Sequence, residues 1–208
     1  MKTRLITFEG SEGCGKTTQI ARLKERLESR GERVVVTREP GGTPLGETIR
    51  HLLKDAPEGR GMSPRSELLL FSASRAELVD KVILPALNEG AWVLCDRFVD
   101  STVVYQGLAR KLPMEIITEL NNFVTGGVVP GLTFLLELSP EKTAERLASR
   151  ATKDRIEEED AHFFHLVRNG FVTLAEFDPE RIKRIDADSA PEVVADAVWT
   201  HFSHAFPA

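Results

Sequence analysis

The sequence lacks the features that mark several large classes of protein. Its 208 residues include only two cysteines, Cys14 and Cys95, which are too few for a disulfide framework or a cysteine-based zinc site. No block of lysine and arginine stands out, and 27 basic against 32 acidic residues give a net charge of −5, which argues against a dedicated nucleic-acid binder. Apolar runs such as residues 68–71 are far too short to cross a bilayer. We therefore expect a cytoplasmic protein without a membrane span.

Five short apolar segments have the composition of buried β-strands. Each is rich in β-branched or aromatic residues, as expected where helices cover both faces of a sheet. They are residues 5–8, 33–37, 92–95 and 133–138, with a weaker fifth signal at 182–185. Stretches with helical spacing lie between them, so strand and helix alternate. This order predicts a three-layer α/β fold with a mostly parallel five-stranded sheet and helices on both faces.

Short motifs mark the expected helix starts. Ser63-Pro64 and Ser139-Pro140 each pair an N-cap serine with a proline at the first helical position. Ser189 and Glu192 have the spacing of a capping box. The charge-dense stretch at 149–160 has no apolar face to support it, so we expect a short lid there, within a single domain spanning residues 1–208.

A glycine-rich loop between the first strand and the first helix carries the strongest chemical signal. Its residues are Gly10, Ser11, Glu12, Gly13, Cys14, Gly15, Lys16 and Thr17, followed by Thr18. This pattern between a strand and a helix is that of a P-loop, whose backbone N–H groups converge on phosphate oxygens. Lys16 can neutralise the β and γ oxygens of a triphosphate, and the Thr17 hydroxyl can bind Mg²⁺.

The P-loop predicts a nucleoside triphosphate ligand but does not name the reaction. A GTPase would carry an Asn-Lys-x-Asp motif for guanine, which the sequence lacks. After the third strand, Asp96 is followed by Arg97, where motor-type ATPases usually carry a second acidic residue. Asp96 suits a magnesium shell, and Arg97 suits an acceptor that carries its own phosphate.

Four blocks, spread along nearly the whole chain, resemble thymidylate kinases, which phosphorylate dTMP with ATP. They are Phe8-Glu9-Gly10 through Thr18, Thr37-Arg38-Glu39-Pro40-Gly41-Gly42-Thr43, Asp96-Arg97-Phe98 through Gly107, and Asp154-Arg155-Ile156-Glu157. The second block is the most specific, since few other P-loop kinases carry Arg-Glu-Pro-Gly-Gly there. The resemblance implies transfer of the γ-phosphoryl of Mg·ATP to dTMP, giving dTDP in dTTP synthesis, by a homodimer.

The resemblance also implies a binding site for the thymine base. Phe71 matches the residue that stacks on the base, and Arg75 matches the one that hydrogen-bonds it. Their i, i+4 spacing places both on one helix face. Thr102 and Gln106 match positions that line the base, with Tyr105 near the sugar. From the pattern alone, the alternative is that Phe71 is a core residue and Arg75 a solvated charge.

Four charged residues are implied to hold the rest of the acceptor. Arg50 and Arg97 match positions that clamp its phosphate, a task that suits the planar guanidinium. Glu12 matches the acid that contacts the sugar 3′-hydroxyl; without such a role, a carboxylate beside triphosphate oxygens is unfavourable. Glu39 matches a residue that supports the acceptor site, with a turn residue before Pro40 as the alternative.

The arginine that P-loop enzymes usually add at the transferring phosphoryl group must come from outside the loop. None of the variable positions 11–14 is basic. Arg146, Arg150 and Arg155 flank the predicted lid, a layout that resembles the family branch whose lid supplies this arginine. We predict a catalytic set of Lys16, Arg97 and either Arg150 or Arg155, with solvated helix-end charges as the alternative.

Two other functions share parts of this pattern. A kinase for another nucleoside monophosphate, such as dUMP, UMP or CMP, would carry most of the motifs. A nucleotide-binding switch or an ATPase-driven assembly protein would share the P-loop, but it has no second phosphate for Arg50 and Arg97 to clamp. ATP turnover that depends on an added monophosphate separates the two classes. We expect ATP and dTMP as partners, and neither nucleic acid nor membrane.

Overall fold

A five-stranded parallel sheet forms the centre of the fold. The computed structural model describes residues 2–148 and 154–207, and its strands lie in the order β2-β3-β1-β4-β5. They are β1 (Leu5–Gly10), β2 (Val34–Arg38), β3 (Trp92–Asp96), β4 (Leu132–Glu137) and β5 (Ile182–Asp186). Each overlaps a predicted segment, with bounds shifted or extended by one or two residues. The predicted three-layer α/β fold is confirmed.

Helices lie on both faces of this sheet. They are α1 (Lys16–Glu28), α2 (Pro44–Lys54), α3 (Pro64–Leu78), α4 (Leu84–Asn88), α5 (Val99–Thr102), α6 (Met114–Thr125), α7 (Pro140–Ala148), α8 (Ala161–Phe177) and α9 (Pro191–Ala205). A π-helical turn at Val79–Ile83 joins α3 to α4, and another at Val103–Ala109 extends α5. None of these helices is long and apolar enough to cross a membrane.

The helix starts follow the serine and proline signals in two of three cases. Ser63 caps α3 by accepting a hydrogen bond from Ser66 N at 3.2 Å, and α7 begins at Pro140 as expected. The capping box predicted at Ser189 is wrong, because α9 has Ala190 as its N-cap. Proline is favoured at the first helical position, so Pro191 fixes the start one residue later. The Ser189 hydroxyl instead donates to Asp186.

Side chains of β1 alternate between the two faces of the sheet, as the two-residue period of a strand requires. Ile6 and Phe8 pack in a cluster with residues of α1 and α9. Leu5 packs on the opposite face with residues of α3, the π-helical turn that follows it and α4. Every residue of β1 is buried. The loop that follows β1 is therefore anchored to the most enclosed strand of the described fold.

The strand order reverses at the carboxyl end of β1, between β3 and β4. In open α/β sheets, ligands bind in the crevice at such a reversal. The glycine-rich loop leaves β1 here, and Asp96 at the end of β3 pairs in register with Phe8. Sheet topology therefore brings the loop and the Asp96-Arg97 pair to one edge.

Candidate active site

The glycine-rich loop offers backbone N–H groups at the start of α1. Gly15 is the N-cap residue, with a left-handed φ of 97° and no side chain that could cap the helix. Since the first N–H groups of a helix have no intrahelical partner, the loop presents them to an anion. Gly10 permits a close approach, because a Cβ there would lie 2.3 Å from the Leu136 carbonyl oxygen.

Lys16 folds back over this loop. Its Nζ donates to the carbonyl oxygen of Ser11 at 3.0 Å, and the side chain is buried. Burial and the charge of Arg97 lower the pKa of Lys16, but nearby negative groups outweigh them and the net pKa lies above its ordinary value. The ammonium group is thus held charged beside the predicted phosphate site. Cys14 is buried, and Lys16 Nζ also donates to its Sγ at 3.7 Å.

Asp96 and Thr17 lie together as the predicted magnesium pair requires. Both line one cavity with Lys16 and Arg50, and Thr17 is exposed to it. Asp96 Oδ1 is buried and has no hydrogen-bond partner in the part of the chain described. Oxygen ligands of this kind are those that Mg²⁺ prefers. No group of three or more His, Cys, Asp or Glu that could hold a metal occurs among the described residues.

A second cavity adjoins the first and contains the predicted base site. It draws side chains from the β2–α2 connection, α2, α3 and the helical segment after β3. Its lining is Glu12, Glu39, Pro40, Lys54, Phe71, Arg75, Arg97, Ser101, Thr102, Tyr105, Gln106 and Ile156. Every predicted acceptor residue except Arg50 is present; Arg50 lines the first cavity and donates to the Pro40 carbonyl at 2.9 Å.

Phe71 and Arg75 take positions in this cavity that favour ligand contact. Phe71 is partly exposed and belongs to none of the core clusters in the described ranges. Arg75 is only 1% exposed, so the alternative of a solvated charge is wrong. Its guanidinium donates to both carboxylate oxygens of Glu39, at 2.6–3.0 Å, and to Asn121 Oδ1 at 2.8 Å. Glu39 therefore fixes Arg75 at the cavity wall.

Glu12 and Arg97 form an ion pair where the two cavities meet. Arg97 Nη2 lies 2.9 Å from Glu12 Oε1, and its guanidinium packs over the Tyr105 ring. Burial raises the pKa of Glu12, but the charges of Arg97 and Lys16 outweigh it and hold the pKa well below its usual range. Arg97 has a left-handed φ of 69°. For a residue with a Cβ this conformation is strained, and such strain clusters at functional sites.

Glu9 holds the segment that carries Arg97. Its Oε1 accepts from the backbone N–H groups of Phe98 and Ser101, at 2.8 and 3.2 Å, and its Oε2 accepts from the Ser101 hydroxyl at 2.6 Å. Burial raises the pKa of Glu9 to about 7, although the charge of Arg97 opposes the shift. In the sequence, Glu9 is noted only as part of a motif block, and no pattern predicts its contacts with Phe98 and Ser101.

The three arginines near the predicted lid have different surroundings. Arg146 donates to the Gly13 carbonyl at 2.8 Å and so contacts the glycine-rich loop. Arg150 lies outside the described residues. Arg155 Nη2 lies 2.7 Å from Glu67 Oε2, and Arg155 Nε donates to the Leu53 carbonyl at 2.8 Å. Arg155 also lines a cavity with Thr17, Arg50 and Asp96, while the buried carboxylate of Glu67 holds its guanidinium. Which arginine reaches the phosphates stays a prediction.

Two residues of the site were not predicted from the sequence, although each lies four residues from a predicted site residue on the same helix. Lys54 lines both cavities and pairs with Asp154 at 2.6 Å. It stands four residues after Arg50 on α2. Glu67, four residues before Phe71 on α3, is 2% exposed and contacts Gln106 at the base site. In both cases the i, i+4 rule, applied once more along the helix, would have found the residue.

A family model described as thymidylate kinase matches residues 8–198. The chain belongs to the thymidylate kinase family. It is 47% identical over 198 residues to the thymidylate kinase of Exiguobacterium sp., covering 95% of this chain and 93% of that protein. With the thymidylate kinase of Gloeobacter violaceus it shares 51% identity over 195 residues, covering 93% and 91%.

A solved structure gives the same family. The crystal structure of the thymidylate kinase from Ehrlichia chaffeensis matches with a TM-score of 0.78 at 35% identity, covering 95% of this chain and 97% of that one. The family predicted from the four sequence blocks is thus confirmed. The most specific block, Thr37 to Thr43, contributes Arg38 and Glu39 to the first cavity and Glu39 and Pro40 to the second.

Proposed function

We propose that this chain transfers the γ-phosphoryl group of Mg·ATP to the phosphate of dTMP, giving ADP and dTDP. Family membership across residues 8–198 supports a phosphotransferase of this kind. The observation that carries the proposal is the junction of two cavities at Glu12 and Arg97, one on the P-loop and one beside Phe71. A nucleotide-binding switch or a simple ATPase binds no phosphate acceptor and therefore needs no second cavity.

The acceptor base enters between an aromatic ring and a fixed guanidinium. Phe71 offers a stacking face, and such stacking is worth about 1–3 kcal/mol per base. Arg75 offers N–H donors to a base carbonyl oxygen from a position that Glu39 has already fixed. Thr102 and Gln106 complete the base site, while Tyr105 faces the sugar. A base fixed in this way presents its phosphate toward Arg97.

Charge neutralisation at the junction drives the transfer. Arg50 and Arg97 hold the acceptor phosphate, Lys16 holds the β and γ oxygens of ATP, and Glu12 contacts the sugar 3′-hydroxyl. Thr17 and Asp96 hold Mg²⁺, which when bound neutralises charge on the ATP phosphates. No covalent enzyme intermediate is needed, because phosphoryl transfer depends mainly on positioning and electrostatic stabilisation.

A lid at residues 149–160 supplies the remaining positive charge, and we assign that role to Arg150. Arg155 is committed to Glu67 and Leu53, so in this proposal it anchors the end of the lid to α2 and α3. Arg150→Ala should lower kcat by on the order of 10³ with a smaller change in KM for dTMP. Arg155→Ala serves as the matched variant and should affect stability and KM more than kcat. A kcat of Arg150→Ala within a few fold of the parent would refute the assignment.

Substrate choice is tested with an ADP-release assay across a panel of monophosphates. We expect ATP turnover to require an added monophosphate and to be fastest with dTMP. The competing proposal, a kinase for dUMP, UMP or CMP, predicts another order of kcat/KM. Equal rates with AMP or UMP would overturn the substrate assignment, and turnover without any monophosphate would favour an ATPase.

The assembly is a homodimer and its location the cytoplasm. Apolar side chains exposed on two packed helices support the dimer: Leu69 on α3 is 60% exposed, and Ile116 and Phe123 on α6 are 52% and 82% exposed. Surfaces of this kind mark protein contacts when they are contiguous. Light scattering after size exclusion gives the mass, and a monomer at micromolar concentration would contradict the dimer.

The two unpaired cysteine thiols and an ATP-dependent reaction support the proposed location in the cytoplasm.

A further inference from the structure

A buried carboxylate, Glu67, lies directly behind the base site. It is 2% exposed and stands one helical turn before Phe71 on α3. Its Oε1 accepts from Gln106 Nε2 at 2.8 Å and from Arg110 Nε at 3.2 Å. Its Oε2 lies 3.2 Å from Arg110 Nη2 and 2.7 Å from Arg155 Nη2. Two guanidinium groups and one amide therefore converge on a single side chain.

The charge state of Glu67 decides how the Gln106 amide is oriented. Burial raises the pKa of Glu67, but hydrogen bonds from Arg110 and Gln106 outweigh it and the net pKa lies below its ordinary value. An ionised carboxylate only accepts hydrogen bonds. Gln106 must therefore turn its NH₂ group toward Glu67, which leaves its carbonyl oxygen Oε1 on the side of the cavity that Gln106 lines.

We propose that Glu67 is a positioning residue that sets the hydrogen-bond polarity of the base site through Gln106. With Oε1 facing the cavity, the site accepts a hydrogen bond from the N3–H of a 2,4-dioxopyrimidine such as thymine. Cytosine carries an acceptor at N3, so two acceptors would oppose each other and leave a buried polar atom unpaired. Thymine and uracil share the N3–H, so this contact selects against cytosine but does not distinguish thymine from uracil. The inference rests on the proposed function.

Replacing Glu67 with glutamine should reverse this polarity. The new side chain keeps one acceptor oxygen, for which Arg110 and Arg155 compete with Gln106. If that oxygen took the Oε1 position, the new NH₂ group would face the guanidinium groups of Arg110 and Arg155, donor against donor. In the Oε2 position the oxygen faces both of those guanidinium groups, and only Arg110 Nε opposes the NH₂ group, so this orientation is favoured and the NH₂ group faces Gln106. Gln106 then turns its own oxygen toward residue 67 and presents a donor to the base.

The experiment measures kcat and KM for dTMP, dUMP and dCMP in the parent and in Glu67→Gln. We expect kcat/KM for dTMP and dUMP to fall in parallel by about tenfold, mainly through KM, while dCMP is unchanged or improves. A purely structural role would lower all three alike. Glu159→Gln is the control: it removes a carboxylate that pairs with Arg110 at 2.6 Å but leaves the contacts of Glu67 in place, so the ratio of dTMP to dCMP should stay as in the parent.

A second measurement needs no variant. The chain has only two glutamines, Gln19 and Gln106, so ¹⁵N-glutamine labelling gives two side-chain amide signals. We expect the Gln106 amide to exchange with solvent at least about tenfold more slowly than a free glutamine amide in the absence of dTMP. This reading decides the inference if Glu67→Gln fails to fold. An unprotected Gln106 amide would overturn it.

The outcomes separate this inference from the proposed function. If the parent uses another monophosphate better than dTMP, the proposed function fails. If the parent prefers dTMP over dCMP and a folded Glu67→Gln variant keeps that preference, the function stands and the role of Glu67 is refuted.

Discussion

The P-loop and the base pocket meet at Glu12 but are built in different ways. The loop uses consecutive residues and the backbone N–H groups at one helix start, so its chemistry is local. The pocket collects side chains from β2–α2, α2, α3 and the π-helical turn after α5. Its charges are paired before any ligand arrives, as in Arg75 with Glu39. The loop is thus suited to neutralising charge, and the pocket to holding a shape.

Buried ion pairs explain why the pocket keeps its shape. Burying a charge pair rarely adds stability, but removing one partner leaves an uncompensated charge at high cost. Glu39 and Glu67 each hold an arginine and are almost fully buried. Changes in the pocket should therefore alter affinity and stability, whereas changes in the loop should alter the rate of transfer.

Between the loop and the pocket, the largest effect is expected at the loop. Lys16→Met should lower kcat by on the order of 10²–10³, because one preorganised charge at the transferring group is lost. KM for dTMP should change little, since the pocket is untouched. Steady-state rates at saturating ATP and dTMP test this, with Lys24→Met, whose side chain is 40% exposed on α1, as control. A kcat within a few fold of the parent would contradict the expectation that changes in the loop alter the rate of transfer.

The next effect is on stability and comes from Glu9, which connects the two regions. Burial raises the pKa of Glu9 from 4.5 to about 7. Below pH 4.5 both folded and unfolded states hold the proton; between 4.5 and 7 only the folded state does, so stability falls as the pH rises. The loss is about 3 kcal/mol at 1.36 kcal/mol per pKa unit. Stability attributable to Glu9 is thus present at low pH and gone above pH 7.

Urea unfolding of the parent and of Glu9→Gln from pH 5 to pH 8 measures this loss. The free energy of unfolding of the variant should change less with pH, by a slope that corresponds to about one proton, because glutamine does not ionise. Glu119→Gln, at an exposed position on α6, should keep the slope of the parent. Identical slopes for the parent and Glu9→Gln would show that Glu9 stays ionised in the folded chain.

Phe71→Ala tests whether the pocket acts through affinity. Loss of base stacking worth about 1–3 kcal/mol should raise KM for dTMP about tenfold or more, while KM for ATP changes little. Phe177→Ala, at an 88% exposed phenylalanine on α8, is the matched control. An unchanged KM for dTMP would make Phe71 a packing residue.

The smallest effect is expected at Glu12, which belongs to both regions. Glu12→Gln removes one charge from the pair with Arg97 but keeps a polar side chain, so KM for dTMP should rise about fivefold, as for a loss of about 1 kcal/mol. ATP affinity, measured by calorimetry, should be unchanged. Weakened ATP binding with normal use of dTMP would instead assign Glu12 to the triphosphate.

Much of the fold and part of the site could be predicted from the sequence. The strands could be predicted because buried parallel strands are short apolar runs. The P-loop could be predicted because its residues are consecutive. The start of α9 was misplaced by one residue, since two start signals overlap at Ser189 and Pro191 and the fixed φ of proline decides between them. Lys54 and Glu67 were missed although their spacing was available.

The sequence by itself determined the strand order along the chain, the phosphate-binding loop and the residue types of the acceptor site. Only the tertiary structure decided which charges are paired: Arg75 with Glu39, Arg155 with Glu67, and Glu9 with the helix start after Arg97. The physical reason is distance. Local pattern fixes what one helix or loop can offer, whereas the burial and partner of a charged side chain depend on segments that meet only when the sheet forms.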